Sequence, residues 1–257
     1  MGNYINLRGH EIWNYEWADN GEAVVLLHGG MSATEDWDKY VLPAVQDSFH
    51  VFAYDRTGQG RTADQIGSLH FAFQTREAIA YLEDIVKEPA HLLGWSDGGI
   101  IALMVAIERP DLVRSIVAIG ANYHHEYGGD PIPLWEISDA DRAEHAERSP
   151  DAPETLDSKV ARMWEIWNTE PTLSEKDLTK ITCPTLILAS DDETFSIAHS
   201  ASMYEAIALG QLAIVPGTSH YVIKEKPELT QAIIKDFLGD LHPPMTRQPV
   251  RRRKLLP

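Results

Sequence analysis

The sequence contains a serine set among glycines, Gly94-Trp95-Ser96-Asp97-Gly98-Gly99, straight after the apolar run His91 to Leu93 and just before the apolar stretch Ile100 to Glu108. A serine in a strained strand-to-helix turn needs neighbours without side chains, or the two elements cannot approach closely. Such a turn lifts the Ser96 hydroxyl above a sheet edge and aims a helix N-terminus at it, which favours negative charge there. The chemistry this allows is nucleophilic attack on a carbonyl. Taken alone, the five-residue pattern is also compatible with an ordinary Gly-rich turn.

A serine becomes a strong nucleophile only beside a base. Pro216-Gly217-Thr218-Ser219-His220 closes the run Gln211 to Val215 and so puts His220 on a loop at a strand's C-terminal end. A neutral imidazole there can take the serine proton and return it to the leaving group. Ser190-Asp191-Asp192-Glu193 follows the run Thr185 to Ala189, and one carboxylate of this turn can orient His220 and stabilise its cation. The others read as a solvated acidic turn. His28-Gly29-Gly30 follows Val24 to Leu27, and the N–H of Gly30 can pair with that of Asp97 to hold the oxyanion formed on attack. His124 and His125 are adjacent and point apart, a poor arrangement for a metal, so neither a metal nor a cofactor is expected.

These residues need a scaffold that brings several strand ends to one edge. Tyr4 to Leu7 and Ile12 to Tyr15 read as an opening hairpin around Arg8-Gly9-His10. Val24 to Leu27, Val51 to Tyr54, His91 to Leu93, Ser115 to Ile119, Thr185 to Ala189 and Gln211 to Val215 are short apolar runs of the kind that doubly covered parallel strands show. Between them, Thr75 to Val86, Met203 to Ala208 and Leu229 to Leu238 carry helical spacing. Alternating strand and helix predicts a mostly parallel sheet with helices on both faces, and ligands bind such sheets at the strand C-terminal ends. The alternation breaks between Ala121 and about Lys180. A structureless loop of that length is improbable in a compact domain, so a small helical insertion is expected there, with helices over Ala140 to Arg148 and Ser158 to Asn168.

Composition narrows the function further. The 257 residues carry a net charge of −17. Five of the 22 basic side chains fall in Leu241 to Pro257, which has no acid, so the body is more acidic than the total. An acidic body repels a phosphate backbone, and a nucleic-acid partner is not expected. The Pro-rich basic tail is expected to be disordered, with a contact arm as the alternative. The longest apolar run, Ile100 to Ile107, is far short of the ~20 residues that cross a bilayer. Cys183 is the single cysteine, so no internal disulfide can form. With no signal-like start at Met1 to Leu7, the expected location is cytoplasmic, without a membrane partner. A small molecule is the expected partner, and a homo-oligomer is compatible with the sequence.

Together these motifs resemble the α/β-hydrolase family over nearly all of residues 1 to 240. The resemblance rests on His28-Gly29-Gly30 with Trp37 downstream, Tyr54-Asp55-Arg56-Thr57-Gly58-Gln59-Gly60-Arg61-Thr62, the Ser96 turn, Pro184 with its strand, and Gly217-Thr218-Ser219-His220. The second stretch is similar to the family's D-x-R-G-x-G-x-S turn, with Thr57 in place of glycine and Thr62 in place of serine. The resemblance implies a core of residues 1–120 and 181–240, a helical cap over 121–180, and a serine hydrolase mechanism. Members usually carry G-x-x-D after the sixth main strand. Setting Ser190 at the glycine places the acid on Glu193, and setting Ala189 there places it on Asp192. Glu193 is preferred because of its distance from Pro184, Asp192 is second and Asp191 third. The implied reaction is hydrolysis of a small, mainly apolar ester, thioester or lactone, with Trp135, Trp164 and Trp167 of the cap as candidate pocket walls. Packing between cap and body is the equal alternative for these tryptophans. The same triad also serves cofactor-free perhydrolases, C–C bond hydrolases and hydrolase-like ligand receptors.

Overall fold

The computed structural model describes residues 2–127, 131–242 and 246–251. Its eight strands are β1 (Asn3–Leu7), β2 (His10–Trp17), β3 (Ala23–Leu27), β4 (His50–Asp55), β5 (Ala90–Trp95), β6 (Val113–Ile119), β7 (Thr185–Asp192) and β8 (Gly210–Ser219). They form one sheet in the order β1-β2-β4-β3-β5-β6-β7-β8. The pairs β1/β2 and β2/β4 are antiparallel and all others are parallel. Successive side chains of a strand point to opposite faces, and β3 shows what that requires here. Ala23, Val25 and Leu27 enter one core and Val24 and Leu26 the other, so a strand with no polar position is what two covered faces select. Helices α2 (Phe71–Tyr81), α3 (Asp97–Glu108) and α7 (Ile197–Ala206) pack on the first face. On the second lie α1 (Asp38–Val45), α8 (Val222–Glu225) and α9 (Pro227–Gly239). No helix among the described residues is long and apolar enough to cross a membrane.

Between β6 and β7 the chain leaves the sheet and forms α4 (Asp139–Arg148), α5 (Thr155–Trp167) and α6 (Glu175–Leu178). Ser138 and Ser174 start α4 and α6, each hydroxyl accepting from the N–H three residues on, while Asp141 and Asp177 reach back. Helix α5 buries Leu156, Val160, Met163 and Ile166, the stripe of an amphipathic helix lying on a body. The two crossings into this segment are tied together. His124 bridges Thr172, the His125 N–H donates to the Pro171 carbonyl and the Leu173 N–H to the Tyr123 carbonyl, both at 2.9 Å.

Several elements differ from the sequence reading. Helix α1, which contains Pro43, was not among the expected helices. Strand β8 runs past Val215 to Ser219 after a register shift against β7 between Ser190 and Asp192. The basic tail is not wholly detached. The Arg251 guanidinium lies 4.1 Å from the centre of the Tyr204 ring and donates to the carbonyls of Tyr204 at 2.6 Å and Ile207 at 2.7 Å. These carbonyls lie at the end of α7, where the last acceptors of a helix lack helical donors and a cation is favoured; that of Ile207 also accepts from the Gly210 N–H at 3.0 Å. Pro243, Pro244 and residues 252–257, on which the rest of that expectation falls, lie outside the described residues.

Candidate active site

The Ser96 turn joins β5 to α3. Ser96 has φ 55° and ψ −121°, a conformation that non-glycine residues rarely adopt, and its N–H donates to the Ile119 carbonyl at 2.8 Å. The flanking glycines are fixed by contact. A Cβ on Gly94 would collide with the backbone of Gly98, and one on Gly98 would collide with the Leu27 carbonyl. The helix therefore starts against the strands, and its first N–H groups have no helical acceptor.

His220 follows directly on the end of β8. Its Nε2 lies 2.9 Å from Ser96 Oγ and its Nδ1 lies 2.7 Å from Glu193 Oε1. Because the carboxylate can only accept, Nδ1 carries the proton and Nε2 is left to receive one from the serine. The Glu193 side chain is 2% exposed and that of His220 24% exposed, so the carboxylate is shut away while the imidazole opens on the cavity. The Trp95 indole N–H holds the His220 carbonyl at 3.1 Å. Of the three acids considered, Glu193 alone meets His220. Asp192 is an exposed strand residue paired with Ser219. Asp191 accepts from the Thr218 N–H at 3.1 Å, and the backbone N–H groups of Gly217 and Thr218 hold its carboxyl below the usual range. In the register shift β8 advances four residues while β7 advances two, so that Ser219 pairs with Asp192 and His220 comes level with Glu193.

Gly30 and Asp97 line the same cavity as Ser96 and His220. A Cβ on Gly30 would collide with the Asp97 carboxylate and come within 2.7 Å of the Trp167 ring, so glycine is required where loop, turn and cap meet. The Asp97 side chain is buried. Burial pushes its carboxyl up, against the pull of the Arg56 guanidinium and of the Trp167 indole N–H, which donates to Asp97 Oδ1 at 3.0 Å.

The cavity has a volume of about 720 Å³, in the range of small-molecule sites. Met31, Ile100, Leu156 and Phe195 supply apolar wall, but the cap also brings Glu144, Arg148 and Lys159 to it. The sequence carried no signal of these charges, because helical spacing does not say which polar residues face a cavity. Trp135 and Trp167 line the cavity. Trp164 does not: its indole N–H donates to the Ile132 carbonyl at 2.7 Å within the cap, and the residue is 39% exposed. The expectation that all three form the pocket is corrected on that point. Among the described residues no group of three or more His, Cys, Asp or Glu is placed to hold a metal.

These contacts give the two cap tryptophans different effects. Trp167→Phe keeps the ring but removes the donor to a buried carboxylate, a bond of the charge-assisted kind worth ~1.5–3 kcal/mol. It is expected to lower kcat by roughly 5- to 50-fold, a factor that free energy allows, on p-nitrophenyl acetate and on longer esters alike. Trp164→Phe should leave kcat within twofold on both. Initial rates on the two esters check this, and a Trp167→Phe loss confined to long esters would reduce Trp167 to a wall.

Residues 24–232 match the alpha/beta hydrolase family. A non-heme haloperoxidase from Rhodococcus erythropolis is 27% identical over 90% of this chain and 96% of its own. A monoacylglycerol lipase from Mus musculus is 22% identical over 94% of this chain and 84% of its own. Among solved structures, a serine hydrolase involved in carbazole degradation superimposes with a TM-score of 0.77 at 20% identity, covering 93% of this chain and 98% of that one.

Proposed function

Since the chain belongs to the alpha/beta hydrolase family, we propose that it is a serine hydrolase of small, mainly apolar carboxylic esters, thioesters or lactones. The observation that carries this reading is the unbroken line of hydrogen bonds from Ser96 through His220 to Glu193. Ser96 Oγ attacks the substrate carbonyl while its proton passes to His220 Nε2, and Glu193 stabilises the imidazolium. The carbonyl oxygen becomes an oxyanion held by the N–H groups of Gly30 and Asp97. Collapse breaks the bond to the leaving group, which takes the proton from His220, and an acyl group remains on Ser96. Water, deprotonated by the same imidazole, then releases the acid and restores the serine. On the cavity wall Asp36, Asp97, Glu136, Asp141, Glu144 and Glu170 outnumber Arg148, Lys159 and Lys224, a balance that opposes a carboxylate-bearing substrate and supports an uncharged one.

The test is a fluorophosphonate probe followed by peptide mapping, beside a panel of p-nitrophenyl esters of rising acyl length, a lactone and a C–C bond substrate. One label on Ser96 and turnover of short esters are expected; absence of any label on Ser96 would sink the serine reading. The haloperoxidase relative supports a second reading in which hydrogen peroxide replaces water and a peracid is released. Acetate, peroxide and bromide with a halogen acceptor test it directly.

A further inference from the structure

We propose that Arg56 is a positioning residue for the oxyanion hole: from inside the body its guanidinium holds the carbonyl of Gly29, and so turns the N–H of the same peptide, that of Gly30, toward the oxygen attacked on Ser96. The inference rests on the serine reading above. Arg56 is 1% exposed. Its Nη2 donates to the carbonyls of His28 at 2.8 Å and Gly29 at 2.7 Å, and its own backbone N–H donates to His28 Nε2 at 3.0 Å. The peptide between Gly29 and Gly30 is planar and trans, so its C=O and N–H point in opposite directions. Fixing the oxygen on the body side therefore fixes the hydrogen on the cavity side, where Gly30 lies with Ser96 and His220. His28 Nδ1, whose ring is oriented by the Arg56 N–H on its Nε2, holds the same Gly29 carbonyl at 2.8 Å, so Arg56 acts on this plane both directly and through His28.

The guanidinium is itself held in place. Nη1 donates to Gln74 Oε1 at 3.0 Å, and the Gln74 amide donates onward to the carbonyls of Thr57 at 3.1 Å and Ser68 at 2.5 Å. Thr57 is anchored through its N–H and hydroxyl on the buried Glu77 carboxylate. Arg56 thus sits on a braced platform rather than on a mobile stem.

Its charge has no structural reason of its own. Among the described residues no carboxylate lies within ion-pair distance of Arg56, and burying a cation without such a partner is expensive. A neutral donor would hold a carbonyl at less cost. A cation behind this peptide has two uses in the reaction. It polarises the C=O, which strengthens the N–H of the same peptide as a donor, and it opposes the repulsion between the Asp97 carboxylate and the oxyanion that forms beside it. Asp97 is the carboxylate whose field Arg56 feels most strongly.

Arg56→Lys keeps the charge and loses the fork that spans two carbonyls. It is expected to lower kcat on p-nitrophenyl acetate by about 10- to 100-fold, up to the loss of one oxyanion donor, with KM within threefold. An alkylboronic acid forms a tetrahedral, oxyanion-like adduct on Ser96, and its Ki should rise by the same factor as kcat falls. A fall in kcat with boronate affinity unchanged, or a loss expressed in KM alone, overturns the assignment. Should Arg56→Lys not fold, Gln74→Met leaves the guanidinium in place without its brace. A smaller loss shared equally by kcat and boronate affinity is then expected, and unequal losses overturn the proposal. Wild-type protein that is neither labelled at Ser96 nor inhibited by the boronate defeats the serine reading and this role with it. Wild type that responds to both, beside an Arg56→Lys that binds the boronate equally well, defeats the role of Arg56 alone.

Discussion

Ser96→Ala is expected to lower kcat on p-nitrophenyl acetate by about 10⁵- to 10⁶-fold, the scale seen when a serine nucleophile is removed. The alanine leaves His220 with nothing to deprotonate except water, and the oxyanion donors proposed at Gly30 and Asp97 would then act only on whatever water attacks. His220→Ala should cost nearly as much, because the Ser96 hydroxyl loses the acceptor 2.9 Å away. The double variant should be no slower than either single one, since the two groups act on one proton. Spectrophotometric rates on the three variants check this, together with melting temperatures to show that each is folded. Losses that multiply in the double variant would mean that Ser96 and His220 work independently.

The next largest effect falls on Glu193. Glu193→Gln keeps the side-chain length and the contact with His220 Nδ1, but an amide presents either a carbonyl or an NH₂ to the ring, and no charge to stabilise the imidazolium. A fall in kcat of about 10³- to 10⁴-fold at neutral pH is expected from the wrong tautomer and the unbalanced cation. Asp192→Asn should change kcat by less than twofold, because that side chain lies in solvent on the edge of the β7–β8 ladder. Asp191→Asn should lower the melting temperature rather than kcat, as it weakens the acceptor for the Thr218 N–H. Measured pairwise, a severe Asp192→Asn and a mild Glu193→Gln would reverse the assignment of the acid.

The strands, and the loops that bring Ser96 and His220 within 2.9 Å of each other, were legible because each is written in local chemistry. Two-sided apolar runs such as Val24 to Leu27 have few other uses, and glycines on both sides of a serine mark a turn where two backbones nearly touch. The choice of Glu193 over Asp192 came only from spacing, and the physical reason, a shift in strand register after Ser190, is a tertiary event with no residue signature. Helix α1 escaped because Pro43 removes a helical donor. It forms nonetheless because Val41, Ala44 and Val45 are buried, so packing outweighs propensity.

Two site features were beyond reach of sequence. The partners of Arg56 are backbone carbonyls, and every residue has one, so nothing in the types of His28 and Gly29 announces that an arginine will bind them. Trp164 and Trp167, three apart on α5, looked equivalent. They were separated by where each indole N–H finds an acceptor, Ile132 within the cap for one and Asp97 at the elbow for the other.

The paired crossings at Tyr123–His125 and Pro171–Leu173 have a bearing on how such a protein diversifies. Whatever the chain does after residue 125, it returns to the point from which it left, so β6 and β7 are insulated from the length and sequence of what lies between. Lengthening a closed excursion costs little, about 0.6 kcal/mol per doubling for a flexible loop. The hydrogen-bonded Ser96, His220 and Glu193 side chains all lie outside it. Outside the residues that tie cap to body, Trp167 on Asp97 and the buried stripe of α5, mutation can therefore reshape the roof of the cavity while its floor stays in place.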